Sequence, residues 1–134
     1  MAVLLVDAAN VVGARPDGWW RDRPAAATRL LARLTVLAGR ELTAPDLGPF
    51  RCEAVVAVLE GQALSATAPD GVEVVRAAGS GDDALVARAA ELVAEGGTVL
   101  AVTADRHLRE RLPTEVAVAG PAWLLACLDA VEPA

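Results

Sequence analysis

The sequence predicts an α/β fold: a central, mostly parallel sheet with helices on both faces, arranged in three layers. Three observations lead there. Short runs rich in Val, Leu and Ala recur along the chain, and those at Ala2–Val6 and Ala54–Leu59 are apolar throughout. That is the signature of strands buried on both faces, not of half-exposed strands, which alternate. Between them lie longer segments with helical periodicity, bounded by Pro and Gly. Strands that alternate with helices require crossover connections and hence parallel neighbours.

Ala2–Val6 is the first buried strand and ends at Asp7. A polar and aromatic stretch from Asn10 to Arg23 follows, with turn chemistry at Pro16, Asp17 and Gly18. Pro24 suits a first helical turn. The helix is expected to reach Ala38, with Gly39 as its stop and Leu30, Leu31, Leu34 and Leu37 as its apolar stripe. Glu41–Phe50, with Pro45, Gly48 and Pro49, is expected to be a connection. Ala54–Leu59 is the second strand, ending at Glu60, and Val72–Val75 is a third. A helix is expected over Asp82–Ala94, closed by Gly96 and Gly97. Thr98–Val102 is a further strand; Thr103, Ala104 and Asp105 lead into a short helix that Pro113 ends. Val116–Val118 is the last strand, and Gly120–Pro121 opens a closing helix carrying Trp123, Leu124, Leu125 and Leu128.

The length of 134 residues predicts one domain over residues 1–134 with a core that needs neither disulfides nor structural metal. That core must be aliphatic, because the chain has one Phe and no Tyr. Cys52 and Cys127 show no ligand or disulfide spacing and read as buried thiols of a reducing cytosol. The opening run is too short for a signal sequence, and no apolar stretch is long enough to span a membrane. A cytoplasmic protein without membrane association is expected. The net charge of −6 argues against non-specific coating of nucleic acid, which needs clustered positive charge. It leaves room for a nuclease, since bound cations would reverse the local field.

Acids follow three of the strands directly: Asp7, Glu60 and Asp105. Asp82 and Asp83 open the helix after a fourth. Parallel strands bring their carboxyl ends to one edge, where open α/β sheets bind ligands. Carboxylates gathered there repel one another unless protons or cations compensate. Oxygen ligands of this kind suit Mg²⁺ or Mn²⁺, and two such ions can drive phosphodiester hydrolysis. Each acid has a structural reading beside this one. Asp7 can make a turn, Asp105 can sit at a helix N-terminus, and Ser80-x-x-Asp83 matches a capping box.

Three segments, V-D-A-A-N at Val6–Asn10, G-S-G-D-D-A-L-V at Gly79–Val86 and V-T-A-D-R at Val102–Arg106, resemble in order the motif blocks of PIN-like nucleases. The resemblance is to the NYN group and, within it, to the YacP-like branch of bacterial proteins. It implies a metal-dependent endoribonuclease. Asp7, Asp83 and Asp105 would be the catalytic acids, Asp7, Asp82, Asp83, Asp105 and Glu60 the metal ligands, and Asn10 and Thr103 their supports. RNA would be the partner, single-stranded or structured, with a ribosome or protein partner also implied, the protein itself being a monomer or homodimer.

Arg15, Trp19, Trp20, Arg21 and Arg23 follow the first strand and could hold RNA by phosphate contact and base stacking; the two tryptophans could equally form an apolar lid over the first helix. Arg106 could contact phosphate. His107 and the cluster Arg106, Arg109 and Arg111 read otherwise as a solvated helix face, and Trp123 and Cys127 as core. Other functions on similar sheets fit less well. A phosphatase of the haloacid dehalogenase type wants a second Asp at Ala9, a receiver domain wants a lysine, and a dinucleotide site wants a glycine-rich turn after the first strand; the chain has none of these. The remaining alternative is a catalytically weak or inactive PIN-like module that binds RNA or protein.

Overall fold

The computed structural model describes residues 1–131. Among the described residues, seven strands and five α-helices form two sheets and the layers around them. The main sheet contains β1 (Ala2–Asp7), β4 (Ala54–Leu59), β5 (Glu73–Arg76), β6 (Thr98–Val102) and β7 (Ala117–Ala119), in the order β5-β4-β1-β6-β7. Every pairing in it is parallel. Its neighbour is the antiparallel hairpin β2 (Glu41–Ala44) and β3 (Gly48–Arg51).

Alternation along the apolar strands builds two cores. Leu4 and Val6 of β1, with Val55, Ala57 and Leu59 of β4, face α1 (Ala8–Val12), α2 (Arg23–Leu34) and α5 (Pro121–Val131). Val3, Leu5, Val56 and Val58 face α3 (Gly81–Ala94) and α4 (Arg106–Arg111). Both faces of β1 are therefore sealed, which is why its sequence is apolar without interruption. Full burial of each Leu or Val contributes about 1.5–3 kcal/mol, and Leu4, Leu5, Leu31 and Leu100 are all fully buried.

Three expectations need correction. Glu41–Phe50 is a hairpin with one face in the core: Leu42, Ala44 and Phe50 are buried while their neighbours are exposed. Its turn places Asp46 at φ 61°, a left-handed conformation that Asp tolerates. Trp123 Nε1 donates to the Thr43 carbonyl at 2.9 Å and ties α5 to the hairpin. Secondly, residues 8–12 coil into α1 directly after β1, so Asn10 is helical. Thirdly, α2 ends at Leu34. The Thr35 hydroxyl donates to the Ala32 carbonyl at 2.7 Å, and tighter turns carry the chain on to Leu37, which stays buried. The third and last strands of the sequence reading each lie one residue later than expected.

The chain leaves β1 toward β4 and β5 on one side and later builds β6 and β7 on the other. The order thus reverses about β1, and its carboxyl end opens at the switch point where such sheets bind ligands. No helix among the described residues is long and apolar enough to cross a membrane.

Candidate carboxylate site

Asp7 stands at that switch point. It is the last residue of β1 and the N-cap of α1, and only 7% of it is exposed. Two neighbours hold it. The Asn10 side-chain amide donates to Asp7 Oδ2 at 2.9 Å, with the Asn10 backbone N–H 3.4 Å from Oδ1. The Thr103 hydroxyl, from the end of β6, donates to Oδ2 at 3.1 Å.

The same two residues fasten the neighbouring loop. Asn10 Oδ1 accepts the Ala104 N–H at 3.0 Å, and Thr103 Oγ1 accepts the Asp105 N–H at 3.2 Å. Asp105 in turn caps α4, its Oδ1 accepting from the N–H groups of His107 and Leu108 at 2.9 and 3.2 Å. The ends of β1 and β6 are therefore one hydrogen-bonded unit. Asp7, Asn10, Thr103 and Asp105, expected from the sequence to belong together, are brought together in it.

Glu60 follows β4 and reaches across to α3, where its Oε2 accepts the Gly81 N–H at 2.9 Å. A Cβ on residue 81 would sit 2.6 Å from the Glu60 carboxylate, so a larger residue there would push that side-chain end aside. Of the following pair, Asp82 is half-buried and faces the other acids. Asp83 turns outward to Arg111, 2.6 Å away, and its side chain is 70% exposed. Ser80 caps α3 by accepting the Asp83 N–H at 3.4 Å.

The electrostatics tie these groups to one site. Burial pushes the Asp7 pKa above the usual carboxylate value. Its hydrogen bonds from Thr103 and Asn10 act in the opposite direction, and the charges of Glu60 and Asp82 add to the rise. Asp82 is raised as well, first by desolvation, then by Asp105 and Glu60. Acids from four strand ends thus feel one another. Even so, among the described residues no three of them converge as a ready-made metal cage. The donor set is all oxygen and suits a hard cation, and Mg²⁺ commonly takes only one or two carboxylates and keeps its waters.

The basic and aromatic residues divide between two clefts. Trp19 and Arg23 line a cleft of about 280 Å³ beside Asp7, together with Ala8, Glu60 and Gln62. The Arg23 guanidinium lies 5.1 Å from the centre of the Trp19 ring, a cation–π arrangement. Trp20 meets Trp19 edge-on at 5.8 Å and is 50% exposed. Arg15 lies elsewhere, in a second cleft with Arg29 and Arg33, where Asp129 bridges it to Arg33 at 2.6 and 2.9 Å. Arg21 and Arg106 are exposed. Gln62, Ala9 and Ala63 of the first cleft carried no signal in the sequence, since small and polar residues in such short helical turns have no distinctive spacing.

No family profile and no curated protein matches the chain. Solved structures do. Rae1 (YacP) from Bacillus subtilis superposes with a TM-score of 0.72 at 18% identity, covering 98% of this chain and 76% of that one. Its W164L mutant gives 0.71 at 17% identity, over 98% and 77%. The fold is YacP-like. At this identity the likeness establishes architecture, and the site's chemistry has to be argued from its own residues.

Proposed function

We propose that the protein is a metal-dependent endoribonuclease that hydrolyses RNA phosphodiester bonds at the carboxyl edge of its sheet. The observation that carries this reading is the buried Asp7 carboxylate, held in place by Thr103 and Asn10 and surrounded by the charges of Glu60 and Asp82. Desolvating one acid among others is costly, and a bound cation would offset that cost.

Asp7, Asp82 and Asp105 would hold Mg²⁺ or Mn²⁺. Such an ion supplies an activated water and charge stabilisation for the leaving oxygen. Asp83, already engaged by Arg111, would stand outside the ligand set, and Glu60 at its margin. Asn10 and Thr103 orient Asp7, and Arg106, exposed at the start of α4, would meet a phosphate of the strand.

The test is incubation with labelled single-stranded and structured RNAs in Mg²⁺ or Mn²⁺, beside Asp7→Asn and Asp105→Asn variants. Cleavage that the parent shows and both variants lose supports the proposal. A second reading, a module that binds RNA or protein without cutting, draws on the lack of a ready-made three-acid cage among the described residues. It predicts no cleavage and no stabilisation by Mn²⁺.

A further inference from the structure

The cleft beside Asp7 has its own chemistry. It begins at Ala8 and Ala9, the residues directly after Asp7, and its far wall is the turn Gly61–Ser65 that follows Glu60. The floor is apolar and low, formed by alanines together with Val12 and Leu59. Trp19 and Arg23 give it planar groups suited to stacking. Its volume, about 280 Å³, is just below the usual range for drug-sized ligands and suits one flat heterocycle.

The polar rim is fixed in place. Glu60 is anchored through Oε2 to the Gly81 N–H. Arg76 holds the wall by donating to the carbonyls of Leu64 and Ala66, and Thr28 accepts the N–H of Thr67. Glu60 lines the cleft, and its Oε1 takes no hydrogen bond among the described residues. An ionised carboxylate only accepts. It therefore selects a base with adjacent donors. Guanine offers N1–H beside N2–H₂. Uracil offers one N–H between two carbonyls, and adenine and cytosine one amino group beside a ring acceptor.

We infer that this cleft binds one unpaired guanine of the RNA strand next to the scissile phosphate, with Glu60 reading its donor edge and the base lying against the Trp19–Arg23 pair. The inference rests on the nuclease reading for its ligand, and it makes Glu60 a specificity residue in place of a metal ligand. Gln62, exposed at the rim, is placed to meet the guanine carbonyl.

The test is a titration of the full-length ¹⁵N-labelled protein with GMP, AMP, CMP or UMP in EDTA, read by amide chemical shifts. GMP should shift Ala8, Ala9, Gly61 and Gln62 and bind about tenfold more tightly than UMP, because an acceptor that a bound base cuts off from water discriminates against bases that leave it unpaired. Glu60→Gln should remove that preference. Ala9→Leu, at an exposed helical position, should fill the cleft and abolish the shifts without unfolding the chain. Equal binding of all four nucleotides, the same cleft shifts from ribose 5-phosphate alone, shifts confined to the Arg15–Arg33 cleft, or a preference that survives in Glu60→Gln would overturn the inference. The titration contains no metal and reads no cleavage. GMP bound in the cleft of a protein that cannot cut RNA would therefore sink the nuclease reading alone, whereas cutting without any cleft response would sink only the guanine pocket.

Discussion

Thr103→Val tests whether the Asp7 network is as tightly built as its geometry indicates. Thr103 is 1% exposed, and its hydroxyl serves two partners, donating to Asp7 Oδ2 and accepting the Asp105 N–H. Valine keeps the shape and removes both bonds. A hydrogen bond to a charged group is worth about 1.5–3 kcal/mol, and the freed Asp105 N–H lies close enough to solvent to recover part of its loss. The expected destabilisation at pH 7 is therefore about 2–4 kcal/mol. Thr103→Ser keeps both bonds and loses one methyl, at about 1 kcal/mol. The measurement is urea unfolding followed by circular dichroism at pH 7 and at steps down toward pH 4. As Asp7 takes up its proton the bond becomes one between neutral groups, worth about 1 kcal/mol, so the gap between Val and parent should narrow with falling pH. A Val variant within about 0.5 kcal/mol of the parent at pH 7, or a Ser variant as unstable as Val, would refute the reasoning.

Further predictions concern charge, metal and space. The Asp7 pKa is raised in the fold, so its stabilising contribution is fully present below the unfolded value and is lost as pH rises through the folded one. Metal-free parent protein should therefore lose stability relative to Asp7→Asn as pH climbs from below 4 toward neutrality, read by thermal melts in EDTA. Mn²⁺ should raise the parent's Tm at pH 7, less at pH 4, and not at all in Asp7→Asn, since it binds only the ionised site. Asp82→Asn should abolish RNA cleavage while Asp83→Asn keeps most of it, and losing the exposed Asp83–Arg111 pair should change stability by less than about 1 kcal/mol. Gly81→Ala should push the Glu60 carboxylate off the Gly81 N–H and cost about 1 kcal/mol in urea unfolding, the worth of that hydrogen bond.

The sheet was legible in the sequence because burial on both faces leaves an unbroken apolar run, and β1, β4 and β6 are such runs. The hairpin was not legible. Its strands alternate over only four residues each, with Pro45 in the turn and Pro49 in the second strand, so local composition spoke for a loop, while its tie to α5 comes from Trp123, 80 residues after Thr43. The helix α1 was hidden for a related reason: five residues are too few to show a period, and what holds them is the Asp7 cap. At the site, acids at strand ends could be picked out by position. Which of Asp82 and Asp83 faces inward could not, because adjacent helical residues differ by about 100° in direction and the packing of α3 sets the phase. Nor could spacing place Arg15 in the other cleft, where its partner Asp129 is far along the chain.

The bonds around Asp7 are asymmetric in a way that bears on function. Both strong donors, Asn10 Nδ2 and Thr103 Oγ1, converge on Oδ2, while Oδ1 has only the long approach of the Asn10 backbone N–H. If the protein served stability alone, a neutral side chain would fill this place without the desolvation penalty and without repulsion from Glu60 and Asp82. Asp105 repeats the pattern, its Oδ1 taken by the α4 cap and no bond made to its Oδ2 among the described residues. In both acids one oxygen positions the side chain and the other is left as a weakly satisfied acceptor. That division of labour would suit an oxygen-seeking cation, whose ligands are best fixed before it arrives; on the proposed reading Thr103→Val and Asn10→Ala should weaken Mn²⁺ affinity, measured by calorimetry, alongside the loss of stability. Unchanged affinity in both variants would mean that the network serves the fold alone.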